Sequence, residues 1–132
     1  MAARSKARKR ALDVLFAADL RGESALEALE SAIEEGDGPT NAYTEVLVRG
    51  VVAEQERIDA LLAEHAQGWT LDRMPGVDRN VLRLGAYELL YVDDVPDGVA
   101  VAEAVALAQD LSTDDSPTFV NGVLGAILRS RV

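Results

Sequence analysis

Apolar residues recur through this chain at intervals of three and four, and that period constrains the fold more than any other feature. Tyr43, Val46, Leu47, Gly50 and Val51 keep the i, i+3, i+4, i+7, i+8 spacing that lays one face of an α-helix on a core. Ile58, Leu61, Leu62 and His65 repeat it, so this stretch forms either one long kinked helix or two in succession. Upstream, residues 4–21 fit a first helix, with Leu12, Phe16 and Leu20 on one stripe beside Ala11 and Leu15, and Gly22 ends it. Ser24 and Glu27 make a capping box that opens a short helix through Leu26, Leu29 and Ile33. Residues 34–40, EEGDGPT, read as a loop.

The second half keeps the same period. Val77, Val81, Leu82, Gly85, Ala86, Leu89 and Leu90 mark one helix, closed by DDVPDG at 93–98. Val101, Ala104, Val105, Ala108 and Leu111 mark another; Val99 and Val101 could begin a strand, but Glu103 and the alanines favour helix. Ser116 is placed to cap a last helix with Pro117 at its first turn, and Gly122 and Gly125 would let another backbone approach it. The segment GWTLDRMPG at 68–76 is the best junction between two helical subdomains, about 1–68 and 76–132. The expectation is an all-α domain of six or seven helices, with no internal repeat and no sustained heptad.

Several function classes fall away. With no cysteine there is no disulfide framework, thiolate nucleophile or sulfur-based zinc site. No apolar run approaches the ~18 residues that span a bilayer, and Asp13 and Asp19 interrupt what would be a signal segment. A cytoplasmic protein is expected. The single histidine, His65, lies on an apolar face, and no glycine-rich phosphate loop occurs. An EF-hand frame started at Asp93 puts Asp97 and Gly98 correctly but places Val95 and Ala104 where calcium needs oxygen ligands. These residues argue for a binding protein with no catalytic residue, metal or cofactor.

Charge gives the positive signal. The chain carries a net −10, yet five basic residues crowd into RSKARKR at 4–10. The other 8 basic and all 23 acidic residues fall in 13–132, a balance of −15. Such asymmetry marks an arm for nucleic acid or an acidic partner. On a helix, like charges one turn apart and positive charge at the N-terminus each cost a few tenths of a kcal/mol or more. A phosphate backbone would relieve both terms, as would the chain's own acidic bulk. Asp13 can offset Lys9 or Arg10, whereas Arg4, Lys6 and Arg8 have no acid within a helical turn. Phe16 and Phe119 fit core stripes but could also offer faces for base stacking.

Taken together, R-x-x-A-R-x-x-A (Arg4, Ala7, Arg8, Ala11), VDRNVLRLGAYELLY (77–91), the DVP turn (94–96) and AVALAQDLSTDDSPTFVNGVLGAIL (104–128) resemble the NusB family of transcription antitermination factors. The resemblance implies two small helical subdomains and binding of boxA, a short single-stranded element of nascent ribosomal RNA transcripts. It implies joint action with NusE, a small-subunit ribosomal protein, on the RNA polymerase elongation complex. It also assigns roles by position. Arg4, Lys6 and Arg8 match the arm that meets RNA phosphates, Phe16 and Phe119 match aromatics beside the RNA, and Asp115 matches an acidic edge. Asp78 and Arg83 match charges facing NusE, and Asn121 belongs to the signature, where it could hold helix packing or touch RNA. Tyr91-Val92-Asp93 departs from relatives with basic residues before the DVP turn, and Ser5 interrupts the arginine run. A protein-interaction or homodimer module, its arm on an acidic surface, is the competing reading. The RNA-binding part of an RNA cytosine methyltransferase would require a fused domain outside this sequence.

Overall fold

In a computed structural model, residues 2–36, 38 and 41–131 are described, and they form six α-helices and no strand. The helices are α1 (Ala2–Arg21), α2 (Ala25–Glu34), α3 (Ala42–His65), α4 (Gly76–Tyr91), α5 (Asp97–Leu111) and α6 (Ser116–Ser130). A single 3₁₀ turn, Leu71–Arg73, sits inside the connection from α3 to α4. Part of the expected loop at 34–40, namely positions 37, 39 and 40, lies outside the described residues.

Local signals set most boundaries. Gly22, at φ +69°, ends α1 with its N–H on the Asp19 carbonyl and the Glu23 N–H on the Ala18 carbonyl, a left-handed close that suits glycine. The Ser24 hydroxyl accepts from the Glu27 N–H at 3.2 Å, as the capping box requires. Asn41 caps α3 in the same way, accepting from the Tyr43 N–H at 2.8 Å. That helix runs unbroken for 24 residues, which decides between the one-helix and two-helix readings.

The core is one apolar cluster that includes Leu12, Leu29, Leu47, Ile58, Leu62, Leu82, Leu124 and Ile127 and continues across the 68–76 connection. Two close approaches shape it, and neither is where the α6 glycines suggest. A Cβ on Gly50 would lie 2.0 Å from the Tyr87 ring, so α3 must carry glycine where Tyr87 of α4 crosses it. A Cβ on Gly85 would meet Leu124 at 2.7 Å and Ala104 at 3.2 Å, which draws α4, α5 and α6 together. Gly122 faces open space and Gly125 meets only the Arg129 side chain. Leu20 and Val46, expected on buried stripes, are exposed, Leu20 at 73 %. The α3 face is carried instead by Tyr43, Thr44, Leu47, Val48 and Val51.

Candidate nucleic-acid interface

The basic stretch 4–10 lies wholly within α1, so its side chains radiate to different neighbours. Arg8 points inward and is 3 % exposed. Its Nε donates to both carboxylate oxygens of Glu88 at 2.9 and 3.0 Å, and its guanidinium lies 3.4 Å from Glu103. The Tyr43 hydroxyl donates a short hydrogen bond to the same Glu88. Burial alone would lower the Arg8 pKa, but the hydrogen bond and charge of Glu88, with Glu103 beside it, raise it. Burial first, and then Glu88, push the Tyr43 phenol far above its ordinary value. Arg8 is therefore an internal cation in this structure, paired with Glu88 where the family resemblance implies an RNA-phosphate contact. Reaching solvent would leave Glu88, 2 % exposed, without its counter-charge.

Arg4 and Lys6 differ from it. The Arg4 guanidinium lies 4.2 Å above the Tyr43 ring and donates to Asp94 at 3.0 Å, with its side chain 36 % exposed. Ser5 donates to Glu103 at 2.8 Å, and the Thr44 hydroxyl donates to the Ala7 carbonyl, so α1 is held against α3 and α5 along this end. Lys6 has no ion-pair partner among the described residues. It lines an open groove of about 620 Å³ with Arg10, Ala3, Ala7 and Asn41. Lys9 stands 3.7 Å from Asp13, the intrahelical pair expected from their spacing.

The aromatic residues gather at the other end of α1. Phe16, half-buried, lies against the first turn of α4, where a Cβ on Gly76 would meet its ring at 2.8 Å. Phe119 stands 6.1 Å from Trp69 between ring centres, tilted by 58°. These two rings, Pro75, Asp115 and Thr113 line a cleft of about 450 Å³ with the Asp78 carboxylate in its wall. Twelve residues separate Arg4 from Phe16, about 18 Å along the helix at ~1.5 Å per residue. A ligand touching both ends must therefore run along α1.

The remaining expected site residues divide by burial. Asp115 and Asn121 are exposed. Asp78 is 3 % exposed and accepts from the hydroxyls of Ser112, in a short bond, and Ser116, at 2.9 Å. Ser116 thus braces the start of α6 from inside, and Asp115 takes the cap position without a side-chain hydrogen bond, contrary to the expected Ser116 cap. Arg83 makes a two-toothed pair with Asp59 at 2.9 and 3.0 Å and reaches Asp19 at 3.3 Å. Asp19 also accepts from Arg79 at 2.8 Å and Asn80 at 2.9 Å. Burial favours the neutral acid at Asp19, but hydrogen bonds from Arg79 and Asn80 and the charges of Arg79 and Arg83 hold its pKa below the ordinary value. Asp78 and Arg83, which the family resemblance places facing NusE, are thus held by internal hydrogen bonds and ion pairs in this structure.

Tyr43, Glu88, Asp94 and Trp69 received no site role from the sequence, although Tyr43 lies on an apolar stripe, Glu88 in the 77–91 run and Asp94 in the DVP turn. Glu88 lies 80 positions from Arg8 and Asp94 lies 90 from Arg4, separations that no local pattern reports. Trp69 stood out as the sole tryptophan, set in the 68–76 connection.

Fold and surface together define a class: an all-helical protein with a basic start to α1 and an aromatic cleft between the 68–76 connection and the entry to α6. The NusB family model matches residues 5–129. The chain belongs to the NusB family. It is 70 % identical over 131 residues to the transcription antitermination protein NusB of a Nocardioides species, covering 99 % of this chain and 97 % of that protein. It is 64 % identical over 129 residues to the protein of the same name from Saccharopolyspora erythraea, covering 96 % and 87 %. Among solved structures it is similar to a chain in a crystal structure of the antitermination factors NusB and NusE in complex with dsRNA. That match has a TM-score of 0.84 and 34 % identity over 98 % of each chain. T. maritima NusB matches with a TM-score of 0.85 and 34 % identity, covering 96 % of this chain and 90 % of that one. No helix among the described residues is long and apolar enough to cross a membrane.

Proposed function

We propose that this chain is a cytoplasmic transcription antitermination factor that binds boxA-type single-stranded RNA together with NusE and acts on the RNA polymerase elongation complex. The observation that carries this reading is the basic start of α1 with Phe16 further along the same helix, beside the α4 turn that adjoins the half-exposed cleft of Trp69 and Phe119. Arg4 and Lys6 meet phosphates, while Phe16 and Phe119 offer ring faces to bases and Asp115 an acceptor at the cleft's edge. Asn121 lies exposed on α6 two residues beyond Phe119, about 200° around the helix, and so stands outside the aromatic cleft. Arg8 contributes by fixing Glu88 and Tyr43, the ring on which Arg4 rests. Asp78 and Arg83 act through the surfaces they hold in place, and the NusE contact uses the exposed residues around them. The role is binding without catalysis, in one domain of two helical subdomains.

A titration of boxA-like against scrambled RNA, with and without NusE, tests this. Preference for boxA-like RNA that sharpens with NusE is expected; equal affinity for both RNAs would overturn it. With Arg8 withdrawn from the phosphate contacts, two to four neutralised phosphates give a slope of log K on log salt of about −1.4 to −2.8, at roughly −0.7 per contact on single strands. If Arg8 also met a phosphate, three to five contacts would give about −2 to −4.

A further inference from the structure

Asp94 belongs to none of the expected site residues, yet it holds Arg4, the partly exposed arginine that opens the arm. It sits in the turn joining α4 to α5, between Val92, whose carbonyl accepts from the Val95 N–H, and Val95, whose side chain is buried. Pro96 follows at the cap of α5. The turn is thus fixed on both sides, and the carboxylate, 68 % exposed, meets Arg4 at 3.0 Å from the solvent side. Arg4 is equally fixed, by the Tyr43 ring beneath it. A guanidinium so placed offers its outer edge to one oxyanion, and a carboxylate oxygen and a phosphate oxygen compete for the same edge.

We propose that Asp94 stands in for an RNA phosphate on Arg4, so that RNA enters this end of α1 by exchange and Asp94 sets the affinity of the basic arm. This rests on the reading of the arm as a phosphate contact. The pair is solvent-exposed and close to neutral overall, so the exchange costs little, and its effect is a graded lowering of affinity and not a closed gate. In the Asp94-bound state one cation of the arm is lost to any polyanion, whatever its base sequence.

The test compares the full chain with Asp94→Asn, Arg4→Ala and the double variant, using boxA-like RNA, scrambled RNA and heparin as probes over a salt series. Asp94→Asn keeps the side chain's size, and helix content and thermal midpoint serve as the folding check. Expected is tighter binding of all three probes by about two- to fivefold, the size of an exposed ion pair, with a salt slope steeper by up to about 0.7. In the Arg4→Ala background the gain should vanish. Unchanged or weaker binding by Asp94→Asn, or a gain that persists without Arg4, would overturn the proposal. Heparin keeps the two readings separable: loss of boxA preference in the parent chain would fail the proposed function, while the heparin response still decides Asp94.

Discussion

Two polar clusters fasten α1 to α4, and they carry opposite polarity. Near the start of α1, that helix supplies the cation, Arg8, and α4 supplies the carboxylate, Glu88. Near its end, α1 supplies the carboxylate, Asp19, and α4 supplies Arg79, Asn80 and Arg83. The crossing of partners shows that the two helices run antiparallel. Each charge sits badly for its own helix dipole, with a cation at the start of α1 and a carboxylate at its end. Each sits well for its neighbour, because the carbonyl end of α4 lies beside Arg8 and the amide end of α4 beside Asp19. The local penalty seen in RSKARKR is therefore answered within the fold at Arg8, and only the outward-facing members of the arm remain for a ligand.

The clusters also differ in burial, and that difference predicts unequal sensitivity. At the Arg8 end both partners are below 5 % side-chain exposure, whereas Asp19 keeps 27 %. Arg8→Ala should cost about 3–5 kcal/mol of unfolding free energy, because it strands a buried carboxylate. Urea denaturation measures it. Replacing both partners, Arg8→Met with Glu88→Leu, should recover part of that loss, leaving chiefly the unpartnered Tyr43 hydroxyl, about 1–3 kcal/mol. A single variant as stable as the parent would show that the Arg8 cluster does not hold α1.

Asp19→Ala should cost less, about 1–3 kcal/mol, since Arg83 keeps Asp59 and Arg79 keeps the Leu71 carbonyl. Its pH signature is more distinctive. The folded pKa of Asp19 lies below the ordinary 3.8, so its contribution is complete above that value and is lost as pH falls through the folded pKa. Stability measured below about pH 4 should therefore fall less steeply in Asp19→Asn than in the parent. Equal slopes would remove Asp19 from the acid-sensitive part of the fold.

How far the sequence foretold these clusters follows from their spacing. Helices were legible because their signals are local: the apolar period, Ser24 with Glu27, and Gly22 all act within a turn or two. The order of elements and the family likeness came from runs of adjacent residues. The clusters were not legible, because each joins residues 24 to 80 positions apart and depends on which face of α1 meets α4. The same blindness misplaced Ser116. Its capping pattern is local and plausible, but Asp78, 38 positions away, binds its hydroxyl from inside. For the candidate site, Phe119 and Asp115 were named separately by the family likeness, and the fold brings them to one cleft because they lie four residues apart at the entry to α6. It treated Arg4, Lys6 and Arg8 as equivalent, and burial separates them.

Lys6 gives the sharpest control on that separation, with the smallest expected effect on the fold. It lies two residues before Arg8 on the same helix and carries the same charge, yet it is exposed and joins neither cluster. Lys6→Ala should leave the urea midpoint within the ~0.5 kcal/mol range of neutral surface changes. It should weaken binding of boxA-like and scrambled RNA alike, because a phosphate contact carries no base information, and flatten the salt slope by about 0.7. Fluorescence anisotropy at several salt concentrations, beside urea titrations of the same samples, reads both quantities. If Lys6→Ala unfolded the chain as Arg8→Ala does, the arm would be structural throughout. If it left RNA affinity and slope untouched, the binding charge would lie elsewhere. Because local sequence context treats the two residues alike, only burial explains a result in which one governs stability and the other governs binding.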